Sequence, residues 1–115
     1  MIFRGSCTAL VTPFASGKVD WAGLERLIEK QVEGGTKALL ACGTTGEPST
    51  LSSEEELQIV AFTRDRAQGL PVLAGIGGND TAEVIRSGKT MQDLGVQGLL
   101  AVTPYYNKTS QDGLV

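Results

Sequence analysis

Three short segments gather residues capable of chemistry. Gly43-Thr44-Thr45-Gly46-Glu47 sets two hydroxyls and several backbone N–H groups between glycines. Glycines let the backbone approach an anion closely, and threonine hydroxyls add donors, so such a turn can hold a carboxylate or a phosphate. One of the hydroxyls could also pass a proton along a chain. The same residues equally suit a plain strand-to-helix turn whose threonines satisfy backbone groups, and both readings stay open on spacing alone. Gly75-Ile76-Gly77-Gly78-Asn79-Asp80 opens like a dinucleotide fingerprint, but Asp80 stands where the third glycine belongs and no P-loop lysine follows. It reads as a glycine-permitted turn leading into a cap at Asp80. Thr103-Pro104-Tyr105-Tyr106-Asn107 brings both tyrosines of the chain into one loop. A phenol is a poor base near neutrality unless it is hydrogen-bonded to other hydroxyls such as Thr44, and exposed tyrosine pairs more commonly make aromatic contacts.

Other chemistries are removed by what the chain lacks. With no histidine, Ser-His and Cys-His dyads and the usual zinc frameworks are excluded. Cys7 and Cys42 form no CxxC pair, lie within apolar runs, and read as small buried hydrophobes. Glu54-Glu55-Glu56 suits the first turn of a helix, where the dipole favours negative charge, better than a metal site. No metal and no cofactor are expected.

The elements that would position these segments follow from hydrophobic patterning. Apolar runs at 7–11 (CTALV), 38–42 (ALLAC), 71–74 (PVLA) and 98–102 (GLLAV) predict four strands. Residues 15–18 read as a loop after the first. A helix is expected from the Asp20 cap, with Leu24, Leu27, Ile28 and Val32 on one face and Gly34-Gly35 as its stop. Trp21 is expected to pack against that helix's surroundings. A second helix should open on a capping box of Ser53 with Glu56 and end near Gly69, and a third on Asp80 with Glu83. A fourth, after Ser110-Gln111-Asp112, is cut short.

Strand–helix units starting near residues 7, 38, 71 and 98 make a repeat of about 30 residues and imply a parallel sheet. Continuous rather than alternating apolar strands predict that both sheet faces are covered. The α/β pattern fits half of an eight-stranded (β/α)8 barrel or a small doubly wound sheet, in either case as one domain over residues 1–115. In both architectures reactive residues gather at the carboxyl ends of strands, which points to Thr12-Pro13, Gly43 to Glu47, Gly75 to Asn79 and Thr103 to Asn107.

The chain's 115 residues are enough for one small core. A net charge of −3 without a basic stretch argues against nucleic acid. No apolar run approaches the roughly 18 to 20 residues of a membrane span, and no signal sequence opens the chain, so no membrane partner and a cytoplasmic location are expected. An open sheet would leave the first and fourth strands as apolar edges without proline or lysine, which predicts self-association as a homodimer or larger species.

ALVTPF, GTTGEPSTLS, GIGGNDTAE and VTPYYNKTSQDG occur in this order with that βα spacing. Together they resemble the dihydrodipicolinate synthase family of class I pyruvate aldolases and lyases, to which N-acetylneuraminate lyase is related. The resemblance covers nearly the whole chain. It implies the barrel alternative and a lyase that condenses pyruvate with aspartate semialdehyde through a Schiff base, in lysine biosynthesis. It also implies roles. Thr44 would be the relay threonine, and Thr45 with the Gly43 and Gly46 backbone would bind the pyruvate carboxylate. Tyr106 would complete a neighbouring subunit's relay, with Tyr105 and Tyr106 as interface residues.

In lysine-inhibited members an allosteric site uses positions matching Pro48, Ser49, Ser53, Glu56, Asn79, Glu83 and Tyr105; Ser53 and Glu56 stand where some members have histidine. The family's Schiff-base lysine lies on strand six and its substrate-binding arginine and second relay tyrosine follow strand five, beyond the four strands read here. Lys37 would sit at the opposite end of the sheet, Lys30 and Lys89 within helices and Lys18 in a loop, while Lys108 would lie at the correct end in a polar loop. The expectation is a catalytically incomplete half-barrel that retains affinity for small carboxylates such as pyruvate. The alternatives are a structural half that pairs with a separate C-terminal half, and an active homo-oligomer using Lys108.

Overall fold

Parallel pairing organises the computed structural model, which describes residues 1–106 and 108–114. Strands β1 (Cys7–Ala9), β4 (Ala38–Ala41), β5 (Val72–Gly77) and β6 (Gly98–Val102) form one parallel sheet in the order β1-β4-β5-β6. Helices α1 (Trp21–Glu33), α2 (Ser53–Arg66) and α3 (Thr81–Asp93) connect them. Where a fourth helix would begin there is a single 3₁₀ turn, Asp112–Leu114. Each strand pairs with the one that follows it in the βα series. A doubly wound sheet reverses strand order at a switch point, so this sequential order is that of barrel units.

Register assigns the faces. Leu39 pairs with Val72 and Ala41 with Ala74, and all four are buried. They pack with Leu24, Ile28, Ile59, Val60 and Met91 into one core under the helices. On the opposite face Leu40 pairs with Leu73 and Gly75 with Leu100; the two inner leucines are only partly covered, and Leu100 and Val102 are each 52% exposed. The expectation that both faces are covered therefore holds only on the helix side. Apolar residues on both faces of these strands state what the sheet is suited to bury, and the three helices cover one face of it.

Local sequence explains the helix ends. Asp20 caps α1, its carboxylate accepting from the Gly23 N–H at 2.9 Å. The capping box of α2 is Ser52 with Glu55, not Ser53 with Glu56: Glu55 N–H donates to Ser52 Oγ at 3.1 Å, and Ser52 N–H to Glu55 Oε1 at 2.9 Å. Adjacent serines followed by three glutamates make the pattern degenerate by one residue, and the extended backbone of Ser52 decides it. Asp80 caps α3 by accepting from the Ala82 and Glu83 amides. The helices α1 and α2 are tied by Trp21, whose ring centroid lies 5.0 Å from that of Phe62, and by the Arg66 guanidinium, 3.5 Å above the Phe62 ring and 3.3 Å from Glu25.

Three further expectations need correction. Residues 15–18 are no plain loop: β2 (Phe14–Ala15) and β3 (Lys18–Val19) form a small antiparallel hairpin, turned by Ser16 and Gly17 at positive φ. Gly75-Ile76-Gly77 is strand, not turn, because pairing with β6 carries β5 to Gly77. Cys7 is exposed, because β1 has a partner on one side only, whereas Cys42 is buried.

The cap assignment is testable. Replacing Ser52 by Ala should cost about 1 kcal/mol of unfolding free energy, and replacing Ser53 by Ala less than about half of that. Urea denaturation of the two variants measures the difference.

Candidate functional site

The carboxyl ends of β1, β4, β5 and β6 share one rim because all four strands are parallel. At that rim β4 ends at Ala41, and Cys42 turns the backbone into the left-handed region at φ 56°. Gly43 then leads into a single 3₁₀ turn, Thr44–Gly46, and Glu47 leaves it at φ 56°. Two non-glycine residues in this conformation bracket the segment. Such backbone costs on the order of 1–3 kcal/mol per residue and persists where surrounding contacts over-determine it. Thr44 and Thr45 are exposed, between buried Gly43 and Gly46. The first amides of a helical turn have no acceptor within it, so this geometry presents donors and two hydroxyls to the rim, an arrangement suited to a small anion.

Neighbouring strands fix both ends of the turn. The buried Thr12 hydroxyl, just past β1, donates to the Gly46 carbonyl at 2.6 Å. On the other side, a Cβ at Gly75 would overlap the Cys42 carbonyl and lie 2.9 Å from the Gly43 Cα, so β5 meets the turn backbone to backbone. The Cys42 thiol reaches the Glu56 carbonyl of α2 at 3.8 Å. Burial, and secondarily the charge of Glu56, push this thiol up to about 12, which keeps it protonated and unreactive. Sequence reasoning marked Thr12 and Gly75 by position alone, Gly75 as a turn glycine, and missed the backbone of Cys42. Alternate glycines within an apolar run were the available signal, since an interior strand glycine often marks close backbone approach.

The remaining expected residues fall into separate places. Tyr105 donates its N–H to Asn79 Oδ1 at 3.0 Å, joining the loop after β6 to the loop after β5. Ser53, Glu56 and Glu83 line a groove of about 230 Å³ between α2 and α3, together with Arg86, Ser87 and Thr90. Pro48 and Ser49 belong to a second 3₁₀ turn, Pro48–Thr50, and do not line that groove. Tyr106 is fully exposed at φ 68° and borders a different cavity with Thr103, Pro104, Lys108, Thr109 and Leu114. Among the described residues, neither Thr44 nor Thr45 lines that cavity. Asn107 lies outside the described residues.

Burial, and then the charge of Glu83, push the Glu56 carboxyl up. A carboxyl whose folded pKa is raised loses stability as pH climbs from its unfolded value through its folded value, because the folded chain holds the proton longer. Glu56→Gln should therefore be more stable than the parent at pH 7 and lose less stability between pH 4.5 and neutrality; thermal melts across that range measure it.

Comparison with known proteins gives the family. The sequence matches the dihydrodipicolinate synthetase family over residues 2–115. It is 51% identical over 114 residues to the 4-hydroxy-tetrahydrodipicolinate synthase of Trichlorobacter lovleyi, an alignment covering 98% of this chain and 39% of that protein. The fold superposes on dihydrodipicolinate synthase from Thermotoga maritima with a TM-score of 0.96 at 43% identity, covering 99% of this chain and 39% of that one. It also superposes on the chloride-inhibited enzyme of Acinetobacter baumannii complexed with pyruvate, with a TM-score of 0.94 at 47% identity, covering 99% of this chain and 40% of the other. The chain thus spans about two-fifths of the length of these relatives. By sequence and by fold it belongs to the dihydrodipicolinate synthetase family, and it corresponds to the N-terminal barrel units of its members.

Proposed function

We propose that this chain supplies the pyruvate-binding turn and one proton-relay hydroxyl of a Schiff-base lyase of the dihydrodipicolinate synthase type. The observation that carries the reading is the turn Gly43–Gly46, whose exposed Thr44 and Thr45 stand between buried glycines at the carboxyl rim of a barrel sheet. In this reading Thr45 and the amides of the turn hold the carboxylate of pyruvate. Thr44 passes a proton while a lysine amine adds to the pyruvate carbonyl and water leaves. Loss of a proton from the pyruvate methyl group turns the imine so formed into an enamine, whose terminal carbon attacks the aldehyde carbon of aspartate semialdehyde. Tyr106, exposed on its loop, reaches a neighbouring subunit's relay, and Tyr105 with Asn79, Ser49 and the Glu56–Glu83 groove forms the lysine-responsive region. Free Cys7 and Cys42 are in keeping with a cytoplasmic setting.

The nucleophilic lysine comes from outside these residues. A Schiff-base lysine needs desolvation to act near neutral pH, and Lys108, in the loop after β6, is exposed. The chain therefore binds pyruvate without forming a covalent adduct. Titration with pyruvate followed by NMR should move the Thr44, Thr45 and Gly46 amide resonances, and replacing both threonines by Ala should abolish the response with little change in fold. Reductive trapping with borohydride should leave the mass unchanged. Unmoved resonances in the parent protein contradict the carboxylate assignment, and a stoichiometric adduct mapped to Lys108 establishes the homo-oligomeric enzyme instead.

The open face supports a second element of the proposal. Leu100 and Val102 are each 52% exposed on the open face of β6, and among the described residues β1 and β6 each have one unpaired edge. As a separate polypeptide the chain self-associates, pairing β6 of one copy with β1 of another around the uncovered leucines, with Tyr105 and Tyr106 extending the contact. Sedimentation at micromolar concentration should show a dimer or larger species; a stable monomer of 12.1 kDa contradicts it.

A further inference from the structure

We propose that Thr12 and Gly75, neither of which presents a side chain to the rim, are the positioning residues of the Gly43–Gly46 turn and set its affinity for a small carboxylate. The inference deepens the reading of that turn as a pyruvate site and rests on it. Thr44 and Thr45 are exposed, so packing on their side chains does little to fix their orientation. What fixes it is the backbone on either side. At one end the Gly46 carbonyl is held by the Thr12 hydroxyl, 95% of that residue's surface being buried with it. A Cβ at Gly46 would stand 3.2 Å from both that hydroxyl and the Leu10 carbonyl, so the end of β1 and the turn are already in close contact. At the other end the bare α-carbon of Gly75 admits the Cys42 carbonyl, and Cys42 can hold its left-handed backbone there.

The two contacts differ in kind, which makes them separately testable. Thr12 acts through one buried hydrogen bond, and its loss leaves the Gly46 carbonyl without that donor. Gly75 acts through the absence of a side chain. A methyl group there meets backbone atoms of Cys42 and Gly43, which cannot rotate away as a side chain can, so the turn itself must move. Gly77, two residues along the same strand, supplies the control: the three atoms nearest a Cβ there all belong to Val102, its side chain first.

Pyruvate titrations of the protein and four variants, followed by amide NMR, test the proposal. Thr12→Val should weaken binding by about tenfold, the scale of one buried hydrogen bond, and Thr12→Ser should restore it to within about twofold. Gly75→Ala should displace the Thr44 and Thr45 amide resonances before any ligand is added and weaken binding at least as much. Gly77→Ala should lower the melting temperature and leave the affinity unchanged. Parent-like binding in both Thr12→Val and Gly75→Ala overturns the proposal, as does an equal loss of affinity in Gly77→Ala. If Gly75→Ala does not fold, the Thr12 pair decides. Should the parent protein itself bind no pyruvate, the carboxylate reading fails alone. Positioning is then judged from the ligand-free resonances of Thr44 and Thr45, which Thr12→Val must move and Thr12→Ser must not.

Discussion

The parallel register of β4 between β1 and β5 is the constraint on which the rest of this structure depends. Ala9 pairs with Leu40 on one side and Leu40 with Leu73 on the other, so side chains of three strands fall into common faces. A slip of one residue would carry Leu39 and Ala41 from the helix-covered core to the uncovered face and bring Leu40 in their place. The same register brings the carboxyl ends of four strands to one rim, and with them the loops that carry Thr12, Thr44, Thr45, Asn79 and Tyr105. Chemistry and core packing are thus set by one set of backbone hydrogen bonds.

The rim is held differently from the core. Below it, Ile28, Leu39, Ile59 and Val72 are sealed by apolar packing against the helices. At it, a buried hydroxyl, a missing side chain and two left-handed residues position a turn whose own side chains face outward. Strain of this type is affordable because the strands on both sides are already paired. The cost falls on a segment that the core does not need for its own cohesion.

Much of this was legible in the sequence, for identifiable reasons. The strand expected at residues 98–102 forms there, because Gly95 and Pro104 punctuate an uninterrupted apolar run. The α1 cap at Asp20 was equally clear, since no competing cap residue adjoins it. Ser52 and Ser53 compete, and a one-residue ambiguity in caps can be settled only by backbone conformation. The glycines of β5 misled for a physical reason: glycine allows a turn but also allows close approach of two backbones, and which one occurs depends on the neighbouring strand. The order GTTGE then TPYYN carries the family, whereas the hydrogen bond from the Tyr105 amide to Asn79, which joins two loops, is a three-dimensional fact that no spacing contains.

The central proposal is that the turn after β4 holds pyruvate. A crystal structure of the protein with pyruvate tests it most directly. The account predicts the carboxylate within hydrogen-bonding distance of the Thr44 and Thr45 amides or hydroxyls, with the α2–α3 groove and the cavity beside Lys108 empty of ligand. Pyruvate seated in either of those two places, with the turn unoccupied, would contradict it.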